Sequence, residues 1–213
     1  MKTVVFPFQS QTNELIYKVI IDKNGILVFP TETFYAIGCS ALNSEAIQRI
    51  YSIKNREINK PLLLLVSDWE MLSKFVEPLT VRQKHFLFNF WPGALTVLLP
   101  VEHGLSQTLN RNHQKIGFRI TSSPIAKKLI QICDVPIVGT SANISGSGAV
   151  NNIKEVQATF GKGVDLYVDG GKTSGGSPST VIEFSTMKSI RILREGVIPS
   201  RSLYEHADRI LNN

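Results

Sequence analysis

Cysteines, clustered histidines and long apolar runs are all scarce in this chain. Its 213 residues include two cysteines, Cys39 and Cys133, and no CxxC pair. Neither a disulfide framework nor a metal site held by the protein is therefore indicated, and a reducing cytoplasm fits best. No stretch reaches the roughly eighteen apolar residues of a membrane helix, and the apolar run within Met1 to Phe8 is too short for a signal peptide. We expect a cytoplasmic protein without a membrane segment.

The common nucleotide-binding and hydrolase fingerprints are also missing. Gly171-Lys172-Thr173 resembles the end of a phosphate-binding P-loop, but Leu166 stands where that pattern requires a glycine. The stretch Gly139 to Asn143 misses the GxSxG nucleophile elbow because Asn143 replaces the second glycine. The four histidines show no spacing typical of a catalytic or metal-binding set. If the chain binds phosphates, it does so by another arrangement.

The composition is that of a globular protein with an excess of positive charge. Hydrophobic residues make up 43% of the chain and charged residues 19%, so disordered and fibrous classes are excluded. Lysine and arginine number 23 against 17 acidic residues, giving a net charge of +6. Such a charge favours nucleotide phosphates or nucleic acid as partners, although plain solubility is an alternative reading. We expect one domain over residues 1–213.

Short apolar runs alternate along the chain with segments of helical periodicity. The run at 25–30 ends in proline and is typical of a buried strand, while Ser44 is the expected N-cap of a helix reaching Ile53. This alternation predicts an α/β fold with a mixed sheet. Further strands are expected at 61–66, 94–100, 115–120, 135–139, 165–168, 180–184 and 190–193, and further helices at 68–76 after Ser67 as cap, 81–90, 124–133 and 153–160.

Polar motifs follow several of the predicted strands, which is where α/β sheets present ligand-binding groups. Pro30 to Tyr35 places two hydroxyls and a carboxylate directly after a buried strand. Ser141 and Asn143 follow the strand at 135–139, and Ser179 precedes the strand at 180–184. Turns held by local hydrogen bonds are the alternative explanation of all three motifs.

Cationic side chains stand close to the same positions. Lys54 and Arg56 follow a helix and precede a strand, so they are suited to a triphosphate, although a solvated helix end would look the same. Arg119 lies in an otherwise apolar strand, and burial of this charge requires a carboxylate partner from a ligand or from the protein. Arg194 stands beside a glycine-containing turn.

These motifs together resemble one family closely. The stretches occur in the order and rough spacing of the YrdC/TsaC family of threonylcarbamoyl-AMP synthases, over residues from about 12 to 200: PTETFYAIG, KNREINKPL, WPGALTVLLP, IGFRI, PIVGTSANISG, SPSTVIEF and ILREG. The resemblance implies an open, twisted, mixed α/β sheet flanked by helices, with a concave basic face, as in the synthase of dihydroxybutanone phosphate. It also implies the short form of the family, without a further C-terminal domain.

The resemblance implies an activity as well. Such enzymes form threonylcarbamoyl-AMP and pyrophosphate from L-threonine, bicarbonate and ATP, with Mg2+ accompanying the nucleotide, for modification of tRNA. Partner proteins then transfer the group to tRNA. The implied threonine ligands are Thr31, Arg119, Ser141 and Ser179, and the implied ATP ligands are Lys54, Arg56, Asn143 and Arg194. No general base is indicated.

Three positions depart from the family pattern, and three alternative functions stay open. Ala36 replaces a glycine, Glu57 replaces a proline, and Leu65 stands where the longer branch has a histidine. One alternative is a factor for RNA binding or ribosome maturation, with tRNA or double-stranded RNA on the basic face. A second is a YciO-like paralogue with another substrate. A third is the carbamoyl-adenylating domain of hydrogenase maturation, although the segments that accompany that domain are absent.

Overall fold

The structure is a computed structural model, and it describes residues 2–101, 105, 109, 115–186 and 189–211. Two of the four histidines, His103 and His113, lie outside these residues. The described helices are α1 (Ser10–Tyr17), α2 (Ser44–Ile53), α3 (Trp69–Ser73), α4 (Val81–Phe88), α5 (Pro124–Cys133), α6 (Ile153–Phe160) and α7 (Ser200–Leu211). A π-helical turn, Lys18–Asp22, continues α1.

The helices begin at side chains that accept hydrogen bonds from free backbone amides. Asn43, rather than the predicted Ser44, caps α2 by accepting a hydrogen bond of 2.8 Å from the amide of Ala46. Asp68, rather than Ser67, caps α3. Ser123 caps α5, where a proline at the first turn favours the helical φ angle. The capping prediction therefore missed by one residue at two helices.

Eleven strands within the described residues form two sheets. The strands are β1 (Lys2–Val5), β2 (Leu27–Pro30), β3 (Tyr35–Gly38), β4 (Leu63–Val66), β5 (Leu95–Pro100), β6 (Lys115–Ile120), β7 (Ile137–Val138), β8 (Thr140–Ser141), β9 (Leu166–Asp169), β10 (Thr180–Thr186) and β11 (Ser189–Arg194). The five-stranded sheet has the order β1-β9-β2-β3-β8, and the six-stranded sheet has the order β11-β10-β5-β6-β4-β7. Both sheets mix parallel and antiparallel pairs.

The predicted α/β class is confirmed, but the strand expected at 135–139 is shorter, and directly after it the chain crosses to the other sheet. The shorter strand, β7, pairs with β4, and after Gly139 the chain enters β8, which pairs with β3. A Cβ atom on Gly139 would lie 2.8 Å from Leu65 Cδ1, so any other residue here would require the buried Leu65 side chain to move. One apolar core joins the buried faces of the two sheets.

The register of the six-stranded sheet lays polar and small residues on one face. Val181 pairs with Thr96, and Leu98 pairs with Gly117. Because alternate residues of a strand share a face, Arg119 lies on the same face as Gly117. This face forms the floor of the site described below. In the part of the chain that the structure describes, no helix combines the length and apolar character required to span a bilayer.

Candidate functional site

A cavity of about 270 Å³ opens between the two sheets. Its floor contains Gly117 between the apolar side chains of Leu63 and Leu98, and the missing side chain of the glycine leaves space there. Six of the eight residues predicted to bind ligands line its wall: Thr31, Arg56, Arg119, Ser141, Ser179 and Arg194. No carboxylate is among the described residues that line it. The sequence motifs at the strand ends therefore converge on one place.

Three guanidinium groups, Arg56, Arg119 and Arg194, give the cavity an excess of positive charge. Burial lowers the pKa of Arg194, and the charges of Arg119 and Arg56 lower it further. Burial also lowers the pKa of Arg56, whose guanidinium donates to the carbonyl oxygens of Lys60 and Pro61. Three neighbouring cations repel each other in the free protein, so an anionic ligand would relieve this repulsion.

Arg119 has an acidic partner behind the cavity wall. The guanidinium is 4% exposed, and its Nε atom lies 3.4 Å from Oε1 of Glu32. Oε2 of Glu32 accepts a hydrogen bond of 2.7 Å from the Thr121 hydroxyl. Burial lowers the pKa of Arg119, and the charge of Glu32 opposes that effect. The pair thus keeps a buried guanidinium charged at the wall of the cavity.

Arg194 holds Ser179 in place, and Thr96 completes this part of the site. Nη2 of Arg194 donates to the carbonyl oxygen of Ser179 at 2.8 Å and to its hydroxyl at 3.3 Å. The hydroxyl of Thr96 lies 3.0 Å from that of Ser179. Sequence reasoning did not assign Thr96 to the site, although it placed this residue in the strand expected at 94–100. The available signal was a single hydroxyl in an otherwise apolar strand.

The turn at Trp91 has a structural role. Trp91 is buried, and its indole Nε1 donates to the carbonyl oxygen of Leu95 at 2.7 Å. Its ring packs edge-on against Trp69, with ring centroids 5.4 Å apart. It therefore anchors the start of β5 and lies away from the lining of the cavity.

The motif after β2 is held by hydrogen bonds of its own. The Thr31 hydroxyl donates to the carbonyl oxygen of Phe34 at 2.8 Å and lies 3.2 Å from the hydroxyl of Thr33. The Tyr35 hydroxyl donates to the carbonyl oxygen of Gly171 at 2.6 Å. The amide of Gly175 donates to the carbonyl oxygen of Thr33 at 2.8 Å. The glycine-rich loop after β9 is thus fastened to this motif.

Lys54 and Asn143 stand behind the cavity wall and do not line it. The Lys54 side chain is 1% exposed, and its Nζ atom donates to the carbonyl oxygens of Ser141 at 2.5 Å and Asn143 at 2.6 Å. Burial, and secondarily the charge of Arg56, lower the pKa of Lys54 to about 8. Asn143 is buried and makes its side-chain hydrogen bonds within its own loop. Their predicted contact with ATP stays a prediction.

The three departures from the family pattern are accommodated. Ala36 lines the cavity, where its small side chain leaves the space open. Glu57 lies on the surface and pairs with Lys60 at 2.7 Å. Leu65 is fully buried and packs beneath Gly139, so it contributes no polar atom to the site. Within the described residues, no group of three or more histidine, cysteine or acidic side chains could hold a metal ion.

The fold and the cavity define an α/β protein with an arginine-rich site for an anionic ligand, surrounded by hydroxyl groups. A family model named for Sua5, YciO and YrdC, with the description "Telomere recombination", matches residues 19–196. The chain belongs to this Sua5/YciO/YrdC family.

Two relatives of similar length are similar in sequence over most of the chain. A protein of Methanocaldococcus jannaschii, provisionally named a threonylcarbamoyl-AMP synthase, is 36% identical over 190 residues, which are 89% of this chain and 88% of that protein. The threonylcarbamoyl-AMP synthase of Pseudoalteromonas translucida is 32% identical over 171 residues, which cover 78% of this chain and 90% of that protein.

Two solved structures share the fold. Pyrococcus abyssi Sua5, complexed with L-threonine, superposes with a TM-score of 0.89 at 28% identity and covers 98% of this chain. This chain spans 61% of that longer protein. Escherichia coli YciO superposes with a TM-score of 0.83 at 27% identity, covering 95% of this chain and 98% of its own. The YrdC-like fold expected from the sequence is therefore confirmed.

Proposed function

We propose that the chain is an L-threonylcarbamoyladenylate synthase, a nucleotidyltransferase that forms threonylcarbamoyl-AMP and pyrophosphate from L-threonine, bicarbonate and ATP. The observation that carries this proposal is the meeting of three guanidinium groups with the hydroxyl groups of Thr31, Ser141 and Ser179 in one cavity, with no carboxylate among the described lining residues. Relatives named threonylcarbamoyl-AMP synthase and a family structure complexed with L-threonine support the same reading.

The reaction requires stabilisation of negative charge. The amine of threonine adds to CO2 derived from bicarbonate, and the resulting carbamate oxygen attacks the α-phosphorus of ATP while pyrophosphate leaves. Arg56 and Arg194 are placed to offset the charge that develops on the phosphate oxygens. Mg2+ would bind between the phosphates, in keeping with its preference for phosphate oxygens and water. The proposal names no general base.

Arg119 is the group best placed to hold the carboxylate of the amino acid. Its Nε side faces Glu32, so the rest of its planar fork is free for a bidentate contact with a carboxylate. Thr31, Ser141 and Ser179 supply the hydroxyl groups of the threonine site. A site that hydrogen-bonds the substrate hydroxyl discriminates against valine, because buried polar groups lose their partners when valine binds.

The cellular setting follows from this activity. A cytoplasmic location and partner proteins that transfer the threonylcarbamoyl group to tRNA are part of the proposal. Two competing hypotheses are RNA binding on the basic face and a YciO-like activity on another substrate. The full-length match to YciO makes the second of these worth testing directly.

The test is release of pyrophosphate by the purified chain with ATP, Mg2+ and bicarbonate. We expect L-threonine to stimulate release well above serine or valine, with threonylcarbamoyl-AMP detected by mass spectrometry. Arg119→Met should abolish the threonine dependence. Lys74→Met, a change of an exposed lysine directly after α3, should behave as wild type. Equal stimulation by all three amino acids would refute the proposal and favour a YciO-like substrate. Salt-sensitive RNA binding without any threonine effect would favour the RNA hypothesis.

A further inference from the structure

An apolar groove lies between α4 and the segment formed by α3 and the residues that follow it. The groove has a volume of about 460 Å³ and shares no described lining residue with the cavity of the candidate site. The cavity meets β4 at Leu63, the first residue of that strand, whereas α3 begins shortly after the last. The groove and the cavity therefore lie at opposite ends of β4. The apolar lining of the groove consists of Trp69, Leu72, Val76, Pro78, Leu79 and Phe88.

Helix α4 carries an exposed apolar face beside this groove. Phe86 and Leu87 are buried, which accounts for the attachment of the helix to the core. Val81, however, is 84% exposed and Phe88 is 60% exposed. Residues three or four positions apart share one face of a helix, so Val81, Lys84 and Phe88 form a single stripe. In the isolated chain this second apolar face is open to water.

The exposed Phe88 ring is supported from below. It packs against the Trp69 ring, with centroids 4.6 Å apart, and Trp69 in turn packs edge-on against the buried Trp91 at 5.4 Å. A side chain that is already held in one direction loses little freedom when a partner covers it. Phe88 is therefore suited to anchor an interface.

Opposite charges stand at the groove without pairing. Glu77 and Lys84 both line it, yet among the residues that the structure describes neither forms an ion pair. Glu70, in contrast, pairs with Lys74 at 3.7 Å. The groove is thus complementary to a surface that offers an apolar side chain together with one cation and one anion.

A second copy of the chain has such a surface. In a two-fold interface the same patch of both copies meets, so a groove and the side chain that fills it must lie side by side on one surface. Phe88 and the groove satisfy this condition. Two-fold contact places each Phe88 in the groove of the other copy and brings each Lys84 towards the partner's Glu77.

We propose that the chain forms a two-fold homodimer through this groove, with Phe88 as its anchor and reciprocal pairs between Glu77 and Lys84. The inference goes beyond the proposed synthase function and does not depend on it, because the cavity stays open at the other end of β4. At 60% exposure Phe88 offers on the order of 100 Å², whereas a stable interface buries about 800 Å² on each partner. We therefore expect a weak dimer, with a dissociation constant on the order of 10 µM.

The first test is analytical ultracentrifugation of the purified chain from about 1 to 200 µM, which brackets the expected constant. Salt of about 0.15 M screens the repulsion between two copies of net charge +6. The mass should rise with concentration from the 23.7 kDa of one chain towards twice that value. Phe88→Glu should weaken dimerisation by about tenfold or more, because it places a carboxylate in an apolar groove. Tyr17→Glu is the control, a change of an exposed aromatic residue on α1, and should alter the constant by less than about twofold.

The second test exchanges the charges at the groove. Glu77→Lys or Lys84→Glu alone sets like charges against each other at two places in the dimer, so each should weaken it by about fivefold to tenfold. The double variant Glu77→Lys, Lys84→Glu should return to within about twofold of wild type. An equimolar mixture of the two single variants should form mixed dimers more tightly than either variant associates alone. A general disturbance of the fold would not be reversed in this way.

Three outcomes would overturn the inference. They are a chain that stays monomeric up to about 200 µM, a dimer that Phe88→Glu leaves intact, and a double variant no tighter than the single ones. If Phe88→Glu does not fold, the charge exchanges still decide, because both positions are exposed. Threonine-dependent pyrophosphate release by a monomeric chain would leave the proposed function standing. A dimer without that release would support the interface and refute the function.

Discussion

Replacing Glu32 by alanine should destabilise the fold, because it leaves a buried guanidinium without its counter-ion. Arg119 is 4% exposed, and Glu32 lies 3.4 Å from it and accepts a hydrogen bond from Thr121. Removal of one partner from a buried ion pair costs about 3–5 kcal/mol. The Glu32 side chain keeps 14% exposure, and the 3.4 Å contact is not a hydrogen bond, so we expect the lower end, about 3 kcal/mol.

The double variant Glu32→Ala, Arg119→Met separates this cause from general damage. Methionine fills much of the space of the arginine stem and removes the unpaired charge, so the double variant should lose only about 1–2 kcal/mol relative to wild type. It should therefore be more stable than Glu32→Ala alone. The measurement is urea unfolding followed by circular dichroism, with linear extrapolation of the free energy of unfolding. If the losses of unfolding free energy in Glu32→Ala and in Arg119→Met simply add in the double variant, a buried unpaired charge is not the cause.

Two further predictions concern Lys54 and a glycine at the junction of the sheets. The pKa of Lys54 is about 8 in the folded chain, while in the unfolded chain it returns to about 10.4. Between these two pKa values the unfolded state therefore binds more protons than the folded state. The free energy of unfolding of wild type, relative to that of Lys54→Met, should rise from pH 7.5 to pH 9.5. A difference between the two proteins that does not change with pH would contradict the lowered pKa. A Cβ atom on Gly38 would lie 1.8 Å from the carbonyl oxygen of Val138, and because this atom belongs to the backbone, Gly38→Ala should lower the free energy of unfolding by about 3 kcal/mol, measured by thermal unfolding. Gly148→Ala is the control, since its Cβ meets nothing within 4 Å, and similar melting of both variants would refute the steric argument.

Local signals were enough to predict several elements at their observed bounds. β6, α5 and α6 begin and end where apolar periodicity and capping residues placed them. β3 was not predicted as a strand, because its four residues directly follow the PTET motif and were grouped with it; they pair with β2 just before that motif and, at two positions, with β8 about a hundred positions later. The division into two sheets was not predicted either, since it depends on which strands pair and not on any one segment.

The site illustrates the difference between residue type and side-chain direction. Six predicted ligand residues do line one cavity, because strand ends in an α/β fold gather polar groups at one place. The spacing KxR correctly put Lys54 and Arg56 together but could not indicate that they point to different sides of the wall. Lys54 ends α2, and Asn55 takes a positive φ of 50° before Arg56, which turns the chain between them. Such a turn is a backbone feature that residue chemistry alone does not specify.

The short segment from β7 to β8 explains why Ser141 can act from the opposite side to the arginines. A strand that continued in the six-stranded sheet would place Ser141 in the same sheet as Arg119 and Arg194. Instead the amide of Gly139 makes the last hydrogen bond to that sheet, at the carbonyl oxygen of Leu63, and the next two residues join β3. Ser141 and the arginines then lie on opposite walls of the cavity. Gly139 is part of this arrangement, because a Cβ atom there would lie 2.8 Å from Cδ1 of Leu65, and the buried Leu65 side chain would have to move at the point where the chain leaves the six-stranded sheet.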